Sequence, residues 1–269
     1  IDVREKIVKT VILCGGRGTR IRDVSSDVPK PMIPIGGRPI LWHIMKGYAA
    51  AGHVNFILCT GYKSEIIKEF FLDYEAFTND FTITLGAKKS IEYHKHHEEL
   101  EWRVTLVDTG LDTMTGSRVS QIRQHIGDDE SFMLTYGDGV SDVDINSLIA
   151  FHEGHKKVAT VTGVRPPGRF GEIDATNNGN VREFNEKPQA KGGRVSGGFF
   201  VFRREIFDYL DDSRELVLEE EPLRNLVDDN QLMLFEHNGF WQCMDTFRDY
   251  RLLDDLWVRE AAPGKCGEL

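Results

Sequence analysis

The sequence lacks the features that mark several large protein classes. Its 269 residues include only four cysteines and no C-x-x-C pair, which gives little support to a zinc site or a redox motif. Cys14 and Cys59 stand in apolar runs, so we expect buried free thiols in a reducing compartment. The cluster His94-Lys95-His96-His97 has no carboxylate or cysteine partner at the spacing of metal ligands. We therefore interpret it as a solvated loop.

Long apolar runs are also missing. No stretch approaches the roughly 20 apolar residues that a membrane span requires, and no signal-peptide core follows the charged segment Ile1–Lys6. We therefore expect a cytoplasmic protein with no membrane partner.

Positive charge is scarce relative to negative charge. The formal net charge is −10 at pH 7, so no basic excess exists to neutralise the phosphates of a nucleic acid, and we expect no nucleic-acid partner. A nucleotide needs only a few local cations and backbone N–H groups, whatever the global sign. Nucleotide binding therefore remains open.

Apolar runs alternate with amphipathic stretches at the start of the chain. Val8–Cys14 and Val54–Thr60 are typical of strands buried on both faces. Pro39–Gly52 bounds one predicted helix, and Ser64–Tyr74 carries its apolar residues on one helical face. This alternation predicts an α/β fold, with a Rossmann-like, mostly parallel sheet and helices on both faces.

The rest of the chain continues the sheet and becomes richer in strands. Strands are predicted at Val104–Val107, Phe132–Tyr136, Ala159–Val164, Gly171–Ala175, Val181–Asn185, Gly197–Phe202 and Gln231–Glu236. Two more helices are predicted, one from Asp144 as N-cap to His152 and one over Thr246–Val258. The polar stretch Lys88–Glu101 is interpreted as an irregular surface excursion.

The most informative segment follows the first predicted strand. In Leu13-Cys14-Gly15-Gly16-Arg17-Gly18-Thr19-Arg20, three glycines let the backbone approach phosphates and turn its N–H groups toward an anion. The Walker pattern is absent, and the dinucleotide pattern fails at its third glycine, where Ile21 stands. The segment Pro29-Lys30-Pro31-Met32 adds a cation, and its prolines limit where the Lys30 ammonium can reach.

The combined string resembles the signature of the sugar-1-phosphate nucleotidyltransferase superfamily. The following segments resemble the glucose-1-phosphate cytidylyltransferase family more narrowly: Gly36–Met45, Leu106–Gly110, Met114–Arg118, Tyr136–Val140, Pro166–Gly171 and Gly239–Thr246. The resemblance runs from about Val8 to Trp257, which is nearly the whole chain.

The resemblance implies a Mg²⁺-dependent enzyme that joins CTP to glucose 1-phosphate, giving CDP-glucose and pyrophosphate. Its partners would be a nucleoside triphosphate and a sugar-1-phosphate, and the family's tendency to oligomerise implies a homo-oligomer. In such a transfer the protein mainly positions groups and neutralises developing charge. Arg20 and Lys30 are the candidate catalytic cations, Arg for bidentate contact and Lys as a point charge.

Binding roles follow from the resemblance by position. Nucleotide contacts fall on Leu13, Cys14, Gly15, Gly16, Arg17, Gly18, Thr19, Arg20, Lys30, Thr113, Arg118 and Gly137. Arg118 is expected to reach in from a loop over Met114–Arg118, with a surface arginine as the alternative. Asp138 and Asp245 match the two metal positions of the family, and two carboxylates plus substrate phosphates suit Mg²⁺. Taken alone, either aspartate would be read as a turn or cap residue.

The sugar-phosphate residues implied by the resemblance are Glu186, Lys187, Ser196 and Gly197. The family commonly has Asn where this chain has Ser196, and a hydroxyl is shorter than an amide and offers one donor rather than two. A site that bonds a sugar hydroxyl discriminates strongly, so this difference bears on which sugar is accepted. Another triphosphate, such as dTTP or UTP, and another sugar-1-phosphate therefore stay open.

Two other functional classes are weighed against this reading. A non-catalytic nucleotide-binding homologue is disfavoured because Arg20, Lys30, Asp138 and Asp245 are all present. A dehydrogenase is disfavoured because Thr60-Gly61 stands where the second strand would end in an acidic residue.

We expect a single domain over residues 1–269. Within it, residues 8–165 form the predicted nucleotide-binding part, 166–245 a small β-rich sugar-phosphate-binding part, and 246–269 a C-terminal helix and tail.

Overall fold

The computed structural model describes residues 8–21, 27–86, 90–94, 99, 101–166, 172–176, 180–185 and 193–263. At its centre lies a seven-stranded sheet. The strands are β1 (Thr10–Leu13), β2 (Asn55–Thr60), β3 (Arg103–Asp108), β4 (Ser131–Tyr136), β5 (Ala159–Val164), β6 (Val195–Arg203) and β7 (Leu232–Glu236).

The order of the strands in this sheet is β7-β5-β6-β4-β1-β2-β3. β1 is parallel to β2 and β4, β2 is parallel to β3, and β5 is parallel to β7. β6 runs antiparallel to both of its neighbours, β4 and β5. The predicted mostly parallel α/β sheet is confirmed.

The strand order places a topological switch point beside β1. β3 is the outermost strand on its side, and after it the chain returns to form β4 on the other side of β1. The segments that follow β1 and β4 therefore leave the same edge of the sheet next to each other, which is where α/β folds bind ligands. Because β6 is antiparallel, its first residues lie at this same edge.

Helices cover both faces of the sheet, as predicted. They are α1 (Ile40–Ala50), α2 (Ser64–Leu72), α3 (Tyr74–Thr78), α4 (Thr115–Gln121), α5 (Arg123–Ile126), α6 (Ile145–His155), α7 (Glu221–Asp228) and α8 (Phe247–Val258). Successive strand residues face opposite sides. Ile12 of β1 packs with buried residues of α1, α2, α6 and α8, whereas Val11 and Leu13 pack with those of α4, α5 and α7.

Several local predictions are confirmed. Asp144 caps α6, because its Oδ1 accepts from the Ser147 N–H at 3.0 Å. Thr246 caps α8 through a reciprocal capping box with Asp249. Cys14 and Cys59 are buried free thiols. None of the described helices is long and apolar enough to cross a membrane.

Three predictions of local structure are wrong. The predicted helix Ser64–Tyr74 ends at Leu72, and α3 starts afresh after Asp73. The stretch Lys88–Glu101 contains the strand Ser90–Tyr93, which pairs with Phe81–Thr84. Its two apolar residues alternate with polar ones in a charged region, so the strand pattern is easily missed.

The third error concerns Met114–Arg118, which is not a loop, since α4 begins at Thr115. The backbone N–H groups of Met114, Gly116 and Ser117 donate to carbonyls of the segment Arg214–Leu216. This segment is distant in sequence, and it stabilises a helix start that no local sequence pattern predicts.

Gly36 lets α8 dock beside the short pairing of Pro34–Ile35 with Arg38–Pro39. Its φ of 56° is left-handed, and a Cβ at this position would overlap the indole of Trp257. The Gly36 N–H also donates to Asp254 Oδ1 at 2.9 Å. Neighbouring Gly37 shares the positive φ, 84°, but a Cβ there would meet no atom within 4 Å.

Gly36→Ala should therefore destabilise the fold more than Gly37→Ala. Gly37→Ala is the control, and it should cost only the strain of a left-handed backbone, about 1 kcal/mol. Gly36→Ala adds the displacement of Trp257, which we expect to cost about 2 kcal/mol more. Urea unfolding of the two variants measures the difference, and equal losses would show that Trp257 yields without cost.

Candidate active site

A cavity of about 370 Å³ opens at the switch point, where β1 and β4 end. Predicted nucleotide residues on its wall are Leu13, Cys14, Gly15, Gly16, Gly18, Thr19, Lys30, Thr113, Arg118 and Gly137. The predicted metal residue Asp138 lies on the same wall. Residues more than 120 positions apart are thus brought to one site, and the cavity is the candidate active site.

Other predicted site residues do not line this cavity or lie outside the residues that the structure describes. The exposed Arg17 forms an ion pair with Asp112 at 2.7 Å. Arg20 belongs to the short helix Thr19–Ile21, but its side chain is not described. Glu186 and Lys187 lie outside the described residues.

Ser196 and Gly197 are the second and third residues of β6. Ser196 is exposed and Gly197 is buried, and neither lines the cavity. The Gly197 carbonyl accepts from the indole N–H of Trp241 at 2.8 Å. These residues stand at the same edge of the sheet as the cavity.

Lys30 is held between two carboxylates. Its Nζ atom donates to Asp138 Oδ2 at 2.5 Å and to Asp245 Oδ1 at 2.6 Å. Only 11% of the lysine side chain is exposed, against 28% for Asp138 and 18% for Asp245. Such partial burial screens these ion pairs less than it would on an open surface.

The local sequence fixes the backbone at Lys30. Pro29 is extended, and Lys30–Met32 form a single 3₁₀ turn whose Pro31 and Met32 are buried. Gly18 approaches this turn with a φ of 58°, and a Cβ there would stand 3.0 Å from the Lys30 Cβ. The glycine loop and the lysine are therefore packed directly against each other.

A short pairing outside the main sheet brings Asp245 to Asp138. Gly139–Ser141 pairs antiparallel with Trp241–Cys243, and Cys243 lies opposite Gly139. The Met244 N–H then donates to the Asp138 carbonyl at 2.8 Å. This pairing joins the segment after β4, which carries Asp138, to the segment before α8, which carries Asp245.

The two carboxylates keep Lys30 charged. Burial alone lowers the pKa of a lysine, but Asp138 and Asp245 outweigh burial and raise the pKa of Lys30 above its ordinary value. The ion pairs therefore stabilise the fold below the ordinary lysine pKa and are lost only as the pH rises through the raised one. At neutral pH Lys30 is a fixed cation rather than a base.

Arg118 is buried, with 4% of the residue exposed, so the surface-arginine alternative is wrong. Its guanidinium donates to the carbonyls of Thr60, Gly110 and Gly15 at 3.1, 2.9 and 3.2 Å, and to Thr109 Oγ1 at 2.6 Å. These acceptors follow or end β1, β2 and β3. Arg118 thus ties three strand ends together beneath the glycine loop while lining the cavity.

Sequence reasoning missed other residues on the cavity wall, among them Pro31, Met114, Thr115 and Tyr136. A signal was available for Tyr136, since it ends the predicted strand directly before Gly137 and Asp138. Thr115 falls in the family-like segment Met114–Arg118, but its position depends on the contact of α4 with a distant segment.

A second cavity, of about 230 Å³, lies between α1 and α8. Its wall is mainly apolar and includes Trp42, Phe240 and Trp257. The lysine on this wall, Lys46, is paired with Glu99 at 3.1 Å. Such a lining does not suit a triphosphate, so the cavity at the switch point is the better candidate.

Comparison with known proteins agrees with this geometry. The family model for nucleotidyl transferase matches residues 9–253. The chain belongs to the nucleotidyl transferase family. Glucose-1-phosphate cytidylyltransferase of Salmonella typhimurium is 47% identical to this nucleotidyl transferase over 261 residues, covering 97% of the chain and 100% of the relative. The resemblance found in the motifs is confirmed.

Two solved structures show that the nucleotidyl transferase shares its fold with proteins of low sequence identity. HddC from Yersinia pseudotuberculosis is 20% identical with a TM-score of 0.66, covering 93% of this chain and 99% of that one. The inositol-1-phosphate CTP transferase from T. maritima is 15% identical with a TM-score of 0.62, covering 93% and 96%.

Lys30→Ala should lower turnover of the nucleotidyl transferase by at least about 100-fold, because a fixed cation at the cavity is lost. Steady-state pyrophosphate release measures this change. Lys68→Ala, in α2 and not on the cavity wall, removes one positive charge elsewhere and serves as the control. Near-normal turnover of the folded Lys30→Ala protein would refute a role for this cation in the reaction.

Proposed function

We propose that this nucleotidyl transferase joins CTP to glucose 1-phosphate, releasing pyrophosphate and giving CDP-glucose. The observation that carries the proposal is the cation Lys30, fixed by Asp138 and Asp245 on the wall of a cavity built from the glycine loop. The Salmonella typhimurium relative, which matches over its whole length, supports the choice of CTP and glucose 1-phosphate. A non-catalytic homologue would have no need to retain this arrangement.

The reaction needs positioning more than proton transfer. A phosphate oxygen of glucose 1-phosphate attacks the α-phosphorus of CTP, the new oxygen–phosphorus bond forms, and the bond to the β-phosphate breaks. The sugar phosphate is already an anion at neutral pH, so no general base is required. The backbone of Gly15–Gly18 would receive the triphosphate, and Lys30 would neutralise charge that develops on its oxygens.

Asp138 and Asp245 fit the magnesium ion that the family implies. Their two oxygens lie within 2.6 Å of the same Lys30 nitrogen, so one cation can contact both. Among the described residues no group of three or more His, Cys, Asp or Glu is arranged to hold a metal. The remaining ligands would be substrate phosphates and water, as is usual for Mg²⁺, which supplies charge neutralisation for the leaving pyrophosphate.

The remaining parts of the proposal rest on the family resemblance. The start of β6, with Ser196 and Gly197, together with Glu186 and Lys187, would receive the sugar phosphate. Cytoplasmic nucleotide pools would supply the substrates, and the enzyme would act as a homo-oligomer.

A pyrophosphate-release screen tests the function. Each of CTP, dTTP, UTP, ATP and GTP is offered with glucose 1-phosphate and with a panel of other sugar-1-phosphates. We expect the pair CTP and glucose 1-phosphate to give the highest kcat/KM. A preference for dTTP or for another hexose would overturn that part of the proposal but keep the reaction class.

Asp138→Asn and Asp245→Asn should each abolish Mg²⁺-dependent pyrophosphate release, because an amide is a poor ligand for the ion and leaves Lys30 less firmly held. Asp142→Asn, four residues after Asp138, is the matched control. Isothermal titration with Mg²⁺ and a non-hydrolysable CTP analogue separates metal binding from turnover. Retention of both metal binding and activity in the two variants would exclude this metal site.

A further inference from the structure

Glu219 bridges two walls of the cavity. Its carboxylate accepts a hydrogen bond from the Tyr136 hydroxyl through one oxygen, and from the Thr115 hydroxyl at 2.6 Å through the other. Tyr136 and Thr115 both line the cavity, on β4 and α4 respectively. Glu219 itself is exposed at the surface.

On the α4 side, the bridge fixes the first residue of the helix. The Thr115 hydroxyl donates to Glu219 and accepts from the Leu218 N–H at 2.9 Å, so it is engaged on both sides. Thr113 and Met114, just before it, also stand on the cavity wall. A shift of this helix start would therefore move the wall that receives the nucleotide.

On the β4 side, the bridge fixes an aromatic ring between two parts of the site. Tyr136 directly precedes Gly137 and Asp138. Its ring lies so close to Gly198 of β6 that a Cβ at Gly198 would overlap it. The ring therefore contacts the start of β6, near Ser196, from one side and lines the nucleotide cavity from the other.

We infer that Glu219 is a positioning residue for nucleotide binding, which holds the Tyr136 ring and the start of α4 in the arrangement that receives the triphosphate substrate. It acts through Tyr136 and Thr115 rather than by touching the reacting atoms. The inference rests on the proposed function only in requiring that a nucleoside triphosphate fills the cavity.

The chemistry of the bridge supports this role. The Tyr136 hydroxyl is the donor in this bridge and the Glu219 carboxylate is the acceptor. A hydrogen bond to a charged acceptor is stronger than a neutral one. One carboxylate can accept both hydroxyls at once, whereas one amide has a single oxygen and offers N–H donors instead.

The test uses the full chain and whichever triphosphate the unaltered enzyme turns over. Tyr136→Phe should raise KM for that nucleotide about tenfold, the loss expected for one charge-assisted hydrogen bond. Glu219→Ala should raise KM by at least as much, because it also removes the hydrogen bond to Thr115. We expect kcat to fall less than about threefold, because the reacting groups remain in place. The double variant should be no worse than Glu219→Ala, because Glu219→Ala already removes the hydrogen bond to Tyr136 along with the one to Thr115.

Glu220→Gln is the matched control, because this neighbouring carboxylate makes no side-chain hydrogen bond within the described part of the chain. Equilibrium dialysis with the same triphosphate gives Kd directly and does not depend on turnover. Unchanged KM and Kd in Glu219→Ala would overturn the inference, and so would a fall in kcat and melting temperature with KM unmoved. Additive effects in the double variant would also contradict it. A failure of the proposed function would instead appear in the unaltered enzyme, as absence of pyrophosphate release with CTP.

Discussion

The ion pairs of Lys30 with Asp138 and Asp245 are the interaction on which the site depends. They join the turn after the glycine loop to the segment that follows β4 and to the segment that precedes α8. One partly buried ammonium faces two carboxylates, so the cluster keeps a negative excess. A triphosphate would add to that excess, and the arrangement is therefore balanced only when another cation arrives with the nucleotide. This charge balance supports the proposed use of Mg²⁺.

The sheet explains why these groups meet at one edge. Parallel strands bring the segments after β1 and β4 together, and the antiparallel β6 starts at the same edge. Arg118 fastens the ends of β1, β2 and β3 from below by hydrogen bonds to backbone carbonyls. The buried guanidinium of Arg118 thus supports the glycine loop. The two can lie this close because residue 15 is a glycine, and a Cβ there would overlap the guanidinium.

Much of this could be predicted from the sequence, because the information is local. The strands near Leu13 and Thr60 follow from apolar runs, and the cap at Asp144 follows from its position before a helical pattern. The prolines around Lys30 correctly predicted a fixed cation. The family resemblance gave Asp138 and Asp245 only as metal positions, and their pairing with Lys30 was not predicted. Asp245 is placed by the pairing of Gly139–Ser141 with Trp241–Cys243, which no local pattern shows.

Local patterns failed where a distant segment decides the outcome. The start of α4 is held by carbonyls near Leu216, and the burial of Arg118 depends on three strand ends that no single window contains. The strand Ser90–Tyr93 was missed for another reason. Its residues are exposed except for half-buried Tyr93, so burial imposed no strong apolar signal on the sequence.

The pairing of Lys30 with Asp245 also constrains the order of folding, since 215 residues separate the two. Contacts of such long sequence separation form late, after the loop between them has been ordered. The early strands and the glycine loop can assemble while the chain is still being synthesised, but the lysine then lacks its second partner. The glycine loop can therefore form before Lys30 gains its second carboxylate, which is supplied only when the segment before α8 has been made.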